Sequence, residues 1–128
     1  MNEEPLKKQI PPREHKGHYL GTEINEKWWK RYTRDHFLAR GMGHYWFDGY
    51  AMYFHRLLLE YDIVIPYQAM KDVKIGHWHA GKWCMHIPVL KIIWEKDGLR
   101  LSSGFVVSNN KAATEQMRDQ LKQKIAAY

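Results

Sequence analysis

One cysteine in 128 residues leaves no partner for an internal disulfide. The small, cross-linked secreted scaffold is therefore excluded, and a reducing, cytoplasmic compartment is expected. No apolar run approaches the roughly 20 residues a membrane-crossing helix needs, and mean hydropathy is −0.63. The opening stretch Met1-Asn2-Glu3-Glu4-Pro5 is acidic and lacks an apolar core, so no signal peptide is expected. Catalytic signatures are missing too: there is no Gly-x-Ser-x-Gly elbow and no Gly-x-x-x-x-Gly-Lys phosphate cradle. Asp48, Asp62, Asp72 and Asp97 fall at turns or strand edges rather than in a carboxylate pair. Ser102-Ser103 lie mid-strand, where a hydroxyl bonds locally or faces water. Cys84 with His86 is a candidate thiol–base pair, but neighbours two apart on one strand rarely aim at one atom. The expectation is a chain without catalysis and without a cofactor.

What the chain does have is enough material for one domain: 45% hydrophobic and 14% aromatic residues. Its 20 Lys and Arg against 14 Asp and Glu give a net charge of +6. Residues 1–40 carry nine basic and six acidic groups, residues 41–110 seven and six, and residues 111–128 four and two. The middle of the chain is thus nearly neutral. A nucleic-acid footprint needs clustered cations, so none is expected there.

Local signals divide the chain into an arm and one domain. Lys7-Lys8-Gln9-Ile10-Pro11-Pro12 mixes charge with adjacent prolines, which fix φ and remove donors. Residues 1–16 read as a flexible arm, and residues 17–128 as a single domain, with 17–24 an extended piece. From Asn25 to Phe37, a capping Asn and the spacing of Trp28, Trp29 and Tyr32 predict a short helix. Beyond Gly41-Met42-Gly43 the period becomes two. Asp48-Gly49 joins two aromatic strands, Ile63-Val64-Ile65 ends at Pro66, and Asp72–Ile75 alternates. Lys96-Asp97-Gly98 turns Val89–Glu95 back on Leu99–Val107, with Leu90, Ile92 and Trp94 on one face, and Leu101, Phe105 and Val107 together on the second arm. A closing helix over 110–127 carries Ala113, Met117, Leu121 and Ile125 as its apolar stripe, capped by Asn109 or Asn110.

The passages Gly43-His44-Tyr45-Trp46-Phe47, Ile63-Val64-Ile65-Pro66-Tyr67-Gln68-Ala69-Met70-Lys71-Asp72-Val73 and Lys96-Asp97-Gly98, followed by the final helix, resemble a pleckstrin-homology-like domain of the GRAM-type and small bacterial kind. The resemblance runs from Gly43 to Ile125. It implies an α+β, mainly β fold: a partly open barrel of about seven antiparallel strands, spanning 43–108 and closed by the C-terminal helix, with the short helix before it. It also implies binding of phosphoinositide headgroups or protein segments. Headgroup binders present several cations around the first hairpin. Here that turn is Asp48-Gly49-Tyr50, and Arg56 is the only strong cation on either arm. A shared fold does not by itself supply the function.

Two segments are candidate contact surfaces. The loop Lys74, His77, Trp78, His79, Lys82 and Trp83 is hinged by Gly76 and Gly81, cationic and aromatic, and suits a protein partner, including another copy of the chain. The bland alternative is a loop folded on its own tryptophans. The second segment, Lys27, Trp28, Trp29, Lys30, Arg31 and Arg34, would form a basic aromatic helix suited to an anionic membrane surface. Its bland alternative is that the rings pack on the barrel. A hairpin looped at Ala80–Trp83 would put His77, His79, Cys84 and His86 on one face, a set that suits zinc, although the spacing matches no established zinc signature. The leading expectation is a non-catalytic binding or assembly module; peripheral membrane attachment comes second and a metal site third.

Overall fold

The computed structural model describes residues 15–83 and 86–128. The arm expected over 1–16 lies almost wholly outside them. The described chain is a bent antiparallel sheet with one helix laid across it. Its strands are β1 (Lys16–Ile24), β2 (Lys27–Arg31), β3 (Gly41–Phe47), β4 (Ala51–Arg56), β5 (Asp62–Pro66), β6 (Met70–Gly76), β9 (Val89–Lys96) and β10 (Leu99–Val106). They run in the order β5-β4-β3-β1-β10-β9-β6, with β2 added alongside β1. Two short strands, β7 (Trp78–His79) and β8 (Lys82–Trp83), form a separate hairpin. Helix α1 (Lys111–Ala126) follows. This is the partly open, mainly β barrel with a C-terminal closing helix that the resemblance implied.

β1, expected only as an extended piece ahead of the barrel, is its middle strand. On one edge it pairs with β10; on the other, Lys16–Tyr19 pair with β3 and Glu23–Ile24 pair with β2. The change of partner needs a corner. Gly21 supplies it, with φ +116 at a register shift against β10. The Arg31 guanidinium lies where a side chain on Gly21 would stand.

The short helix expected from Asn25 to Phe37 is not formed. Asn25 and Glu26 both take positive φ, 56° and 57°, and make a two-residue turn that folds β2 back on β1. Asn tolerates this conformation, and Trp and Tyr suit strands as well as helix stripes, so the spacing served two periods at once. The remaining residues to Arg40 form turns, with Asp35 and His36 also at positive φ. The basic aromatic segment is thus an edge ribbon.

The two hairpin turns read from sequence are present. Asp48 carboxylate oxygens accept from Tyr50 N, Ala51 N and the Tyr53 hydroxyl at 2.8–3.0 Å. Asp97 and Gly98 take φ 53° and 79° between β9 and β10. The barrel interior is aromatic and aliphatic: Tyr19, Phe54, Ile65, Leu90, Ile92, Trp94, Leu101 and Phe105 are all nearly inaccessible. Through it runs a polar thread. The Tyr19 hydroxyl donates to Phe37 O and shares a 2.7 Å bond with Thr22 Oγ1, which in turn bonds Ser103 Oγ; Ser103 also accepts from Trp94 Nε1. Ser103, expected to bond locally or face water, therefore works across the sheet.

Asn110 caps α1 by accepting from Ala113 N at 2.9 Å. The helix covers β6, β9 and the 3₁₀ turn Tyr67–Ala69. Its inner stripe is Thr114, Met117, Leu121 and Ile125; Ala113 is exposed, so the first position shifts by one residue. Leu121 is the one apolar helix side chain fully buried. Leu121→Ala is expected to destabilise the fold by about 2–4 kcal/mol, read as a lower urea midpoint. Among the described residues no helix is long and apolar enough to cross a membrane.

Candidate functional site: a tryptophan ledge

The β1–β2 turn and the β7–β8 hairpin come together at one end of the sheet. Trp28 and Trp29 on β2 are 52% and 61% exposed, and Trp78 on β7 is 44% exposed, unusually high for side chains of this size. The Trp28 ring stands edge-on to Trp29, with centroids 5.7 Å apart, and edge-on to Trp78 at 6.2 Å. It also lies 3.7 Å from where a Cβ on Gly81 would be, so it reaches over the β7–β8 turn. Edge-to-face rings hold one another in place while leaving their outer surfaces open. The two segments that the sequence offered as rival surfaces form one ledge.

Cations border the ledge. Lys27 Nζ sits 6.0 Å from the Trp29 ring centroid, a loose cation–π contact, and Lys30 is exposed on the same strand. Lys74 on β6 and Arg100 on β10 both reach Glu26, at 2.8 and 3.2 Å. Those two bonds hold the Glu26 carboxyl below the usual carboxylate range, the Lys74 bond contributing most. Lys74 and Arg100 share that one carboxylate, whereas Lys27 and Lys30 have no carboxylate within ion-pair distance among the described residues. Arg31 and Arg34 turn elsewhere: Arg31 Nη2 donates to Leu38 O at 2.7 Å, and Arg34 lies over the Tyr32 ring. Tyr32 itself is buried, as the packed-ring alternative required, whereas the two tryptophans are not.

The β7–β8 hairpin is fastened from beneath. Ala80 N donates to Glu23 Oε2 at 2.7 Å, and Arg40 Nη2 donates to Ala80 O at 2.5 Å. His79, fully buried, bonds Gly21 O at 2.9 Å through Nε2, which must carry the proton because a carbonyl can only accept. Its ring fills the space above Gly104, where any Cβ would overlap it. Burial, with a smaller contribution from nearby Lys91, pushes the His79 pKa down to about 4. The imidazole is thus neutral, with Nδ1 facing the Glu23 carboxylate at 3.8 Å. His79 is a fastening, and Trp78 beside it is what is presented.

The described members of the candidate metal set, His77, His79 and His86, are not gathered on one face. β7 pairs with β8 as Trp78 opposite Trp83 and His79 opposite Lys82, around the two-residue turn Ala80–Gly81. His79 therefore faces Lys82 rather than Cys84, and it is buried while His77 and His86 are exposed. His77 Nδ1 lies 3.2 Å from Ile87 O. Cys84 lies outside the described residues. Among the described residues no three metal-ligating side chains gather. Lys82 and Trp83, named as contact residues, belong to the hairpin through the backbone of β8.

Sequence reasoning passed over Glu23, Arg40 and Gly104, which hold the hairpin in place. A positional signal existed for Gly104 alone: a glycine inside an otherwise well-formed strand marks a close approach.

A model of the family described as Bacterial PH domain-like matches residues 3–122. The chain belongs to that family. No curated protein and no solved structure matches it.

Proposed function

We propose that this bacterial PH-like domain is a non-catalytic assembly module whose tryptophan ledge binds a protein partner, in the first instance a second copy of the chain. The observation that carries the reading is the ledge itself: three tryptophans from two chain segments, braced edge-on and open to solvent. Tryptophan is the residue most enriched among interface anchors, and a rigid ring loses little entropy when covered. Fastening the hairpin from below supports a surface held ready rather than one formed on contact. Of the groups with strongly shifted pKa values, Tyr19, Tyr67 and His79 are buried and Tyr53 is tied to the Asp48 carboxylate away from the ledge, which supports a role other than proton transfer. The cytoplasmic setting expected from cysteine usage belongs to the same reading.

Light scattering tests it. The wild-type chain is expected to run at dimer mass at roughly 100 µM, and Trp29→Ser with Trp78→Ser at monomer mass, each anchor weakening association by about 30-fold. Trp28 is left in place because it packs over Gly81. A monomeric wild-type chain overturns the self-association.

A second reading is favoured by Lys27 and Lys30 beside the rings: attachment to an anionic membrane, with the rings at headgroup depth. It predicts sedimentation with anionic vesicles, reversed by salt, and loss of that sedimentation on Lys27→Glu and Lys30→Glu.

A further inference from the structure

A second feature lies where the β4–β5 connection meets the 34–40 turns. A cavity of about 160 Å³ is lined by His36, Leu38, Ala39, Arg56, Leu59 and Tyr61. Arg56 ends β4, where period two places it inward with Met52 and Phe54, and it is 1% exposed. Its Nη1 donates to Ala39 O at 2.7 Å and its Nη2 to Tyr61 O at 3.3 Å, while Nε is buried with no hydrogen-bond partner. The guanidinium also sits 5.4 Å from the Tyr19 ring centroid. Among the described residues no carboxylate pairs with it; the nearby Asp62 bonds His55 instead.

Arg56 is one of three arginines holding the same stretch. Arg31 donates to Leu38 O and also has a buried, unpartnered Nε, and Arg40 donates to Leu20 O. Taking a guanidinium out of water costs several kcal/mol, and carbonyl dipoles repay only part of that. At the cavity itself the cation is Arg56, met by two carbonyls and left with an unpartnered Nε, while the charge of Asp62 reaches it only from beyond ion-pair distance.

The walls say what kind of anion would balance it. The His36 and Tyr61 rings stack face to face, with centroids 3.7 Å apart and planes 2° from parallel, as a rigid aromatic wall. Leu38, Ala39 and Leu59 supply apolar surface. The recess opens to solvent past Leu38 and Tyr61, and its volume is of the order that holds one six-membered ring. We propose that this cavity binds a small carboxylate with an apolar body, the carboxylate meeting Arg56 and the body lying between the His36–Tyr61 wall and the two leucines. Such a group occurs both as a free aromatic or aliphatic acid and as the C-terminus of a peptide ending in an apolar residue. The site is separate from the tryptophan ledge and does not depend on what the ledge binds.

The test is a titration followed by amide NMR of the full chain with benzoate, benzamide, and a dipeptide ending in phenylalanine as its free acid and its amide. Benzoate is expected to give saturable shifts in residues 36–40 and 56–61. Benzamide, which has the shape without the charge, should bind at least about 10-fold more weakly, the usual worth of a charge-assisted hydrogen bond. Tighter binding of the free-acid dipeptide than of benzoate assigns the source to a chain terminus, and the reverse order assigns it to a free acid. Arg56→Gln should abolish binding but can also disturb the core, so Leu59→Trp provides the second variant: it fills the cavity from a partly exposed position and leaves Arg56 in place. Leu59→Trp should lower benzoate affinity by about 10-fold or more. Absence of saturable shifts at about 10 mM benzoate, equal binding of benzamide, or an unaffected Leu59→Trp protein would each overturn the proposal.

Discussion

Gly43→Ala is expected to cost roughly 3 kcal/mol or more of folding stability, although it adds a single methyl group. Gly43 lies in β3 opposite Arg56 of β4. A Cβ there would overlap the His55 carbonyl oxygen and stand 2.8 Å from His55 C and 2.9 Å from Arg56 Cα. All three atoms are backbone, so no rotamer change relieves the overlap; β3 and β4 must separate, or the hairpin must slip. Either response also disturbs Arg56, which ties Ala39 and Tyr61 to the barrel. Alanine reduces the freedom of the unfolded chain and suits a strand better, but that gain is only about 0.5–1 kcal/mol. Gly49→Ala is the control. Its Cβ would meet nothing within 4 Å and its φ is not left-handed, so its stability should stay within about 0.5 kcal/mol of wild type. Urea unfolding of the two variants side by side checks the contrast, and equal midpoints would show that β3 and β4 lie further apart than described.

This contrast marks what the sequence could and could not disclose. Strands with one wet face announced themselves through alternation, and Asp48-Gly49 and Asp97-Gly98 announced their turns, because those signals are local. The helix over 25–37 failed for an equally local reason: Trp28, Trp29 and Tyr32 fit a helical stripe, while Asn25-Glu26 also fits a two-residue hairpin turn. What decided between them was non-local. β1 needed a partner on the edge that β3 leaves after Tyr19, and β2 supplies it. The ledge was half legible. Both of its segments were picked out by aromatics beside cations, but their meeting depends on the Gly21 corner and on His79 seating against Gly104, contacts between residues tens of positions apart. Arg56 stands two beyond Phe54, an inward position, although from sequence it stands out only as the one strong cation on the first hairpin. The zinc-like cluster failed on register: a turn at Ala80–Gly81 instead of a wider loop moves Lys82 into the place assumed for Cys84.

Acid should release the fastening under the ledge before it unfolds the barrel through its carboxylates. The His79 pKa is held down to about 4 from 6.5, chiefly by burial. Between those values the unfolded chain binds a proton that the folded chain excludes, so stability falls as pH drops through this window. The contribution is fully present above about pH 6.5 and is lost as pH falls toward 4. It amounts to roughly 3 kcal/mol, from 1.36 kcal/mol per pKa unit. Glu23, with Oε1 3.8 Å from Nδ1, would soften the loss by accepting an imidazolium, but it already holds Ala80 N, and Lys91 and Arg40 oppose a second positive charge there. His79→Gln keeps a donor for Gly21 O and removes the titration. The expected result is a wild-type urea midpoint that falls steeply between pH 6.5 and 4.5, and a variant midpoint that falls less by most of that 3 kcal/mol. Tryptophan fluorescence should move in parallel, because a protonated His79 leaves its seat over Gly104 and carries Trp78 away from Trp28. Identical pH profiles for the two proteins would mean that the buried imidazole accepts its proton in place, with Glu23 as the counter-ion.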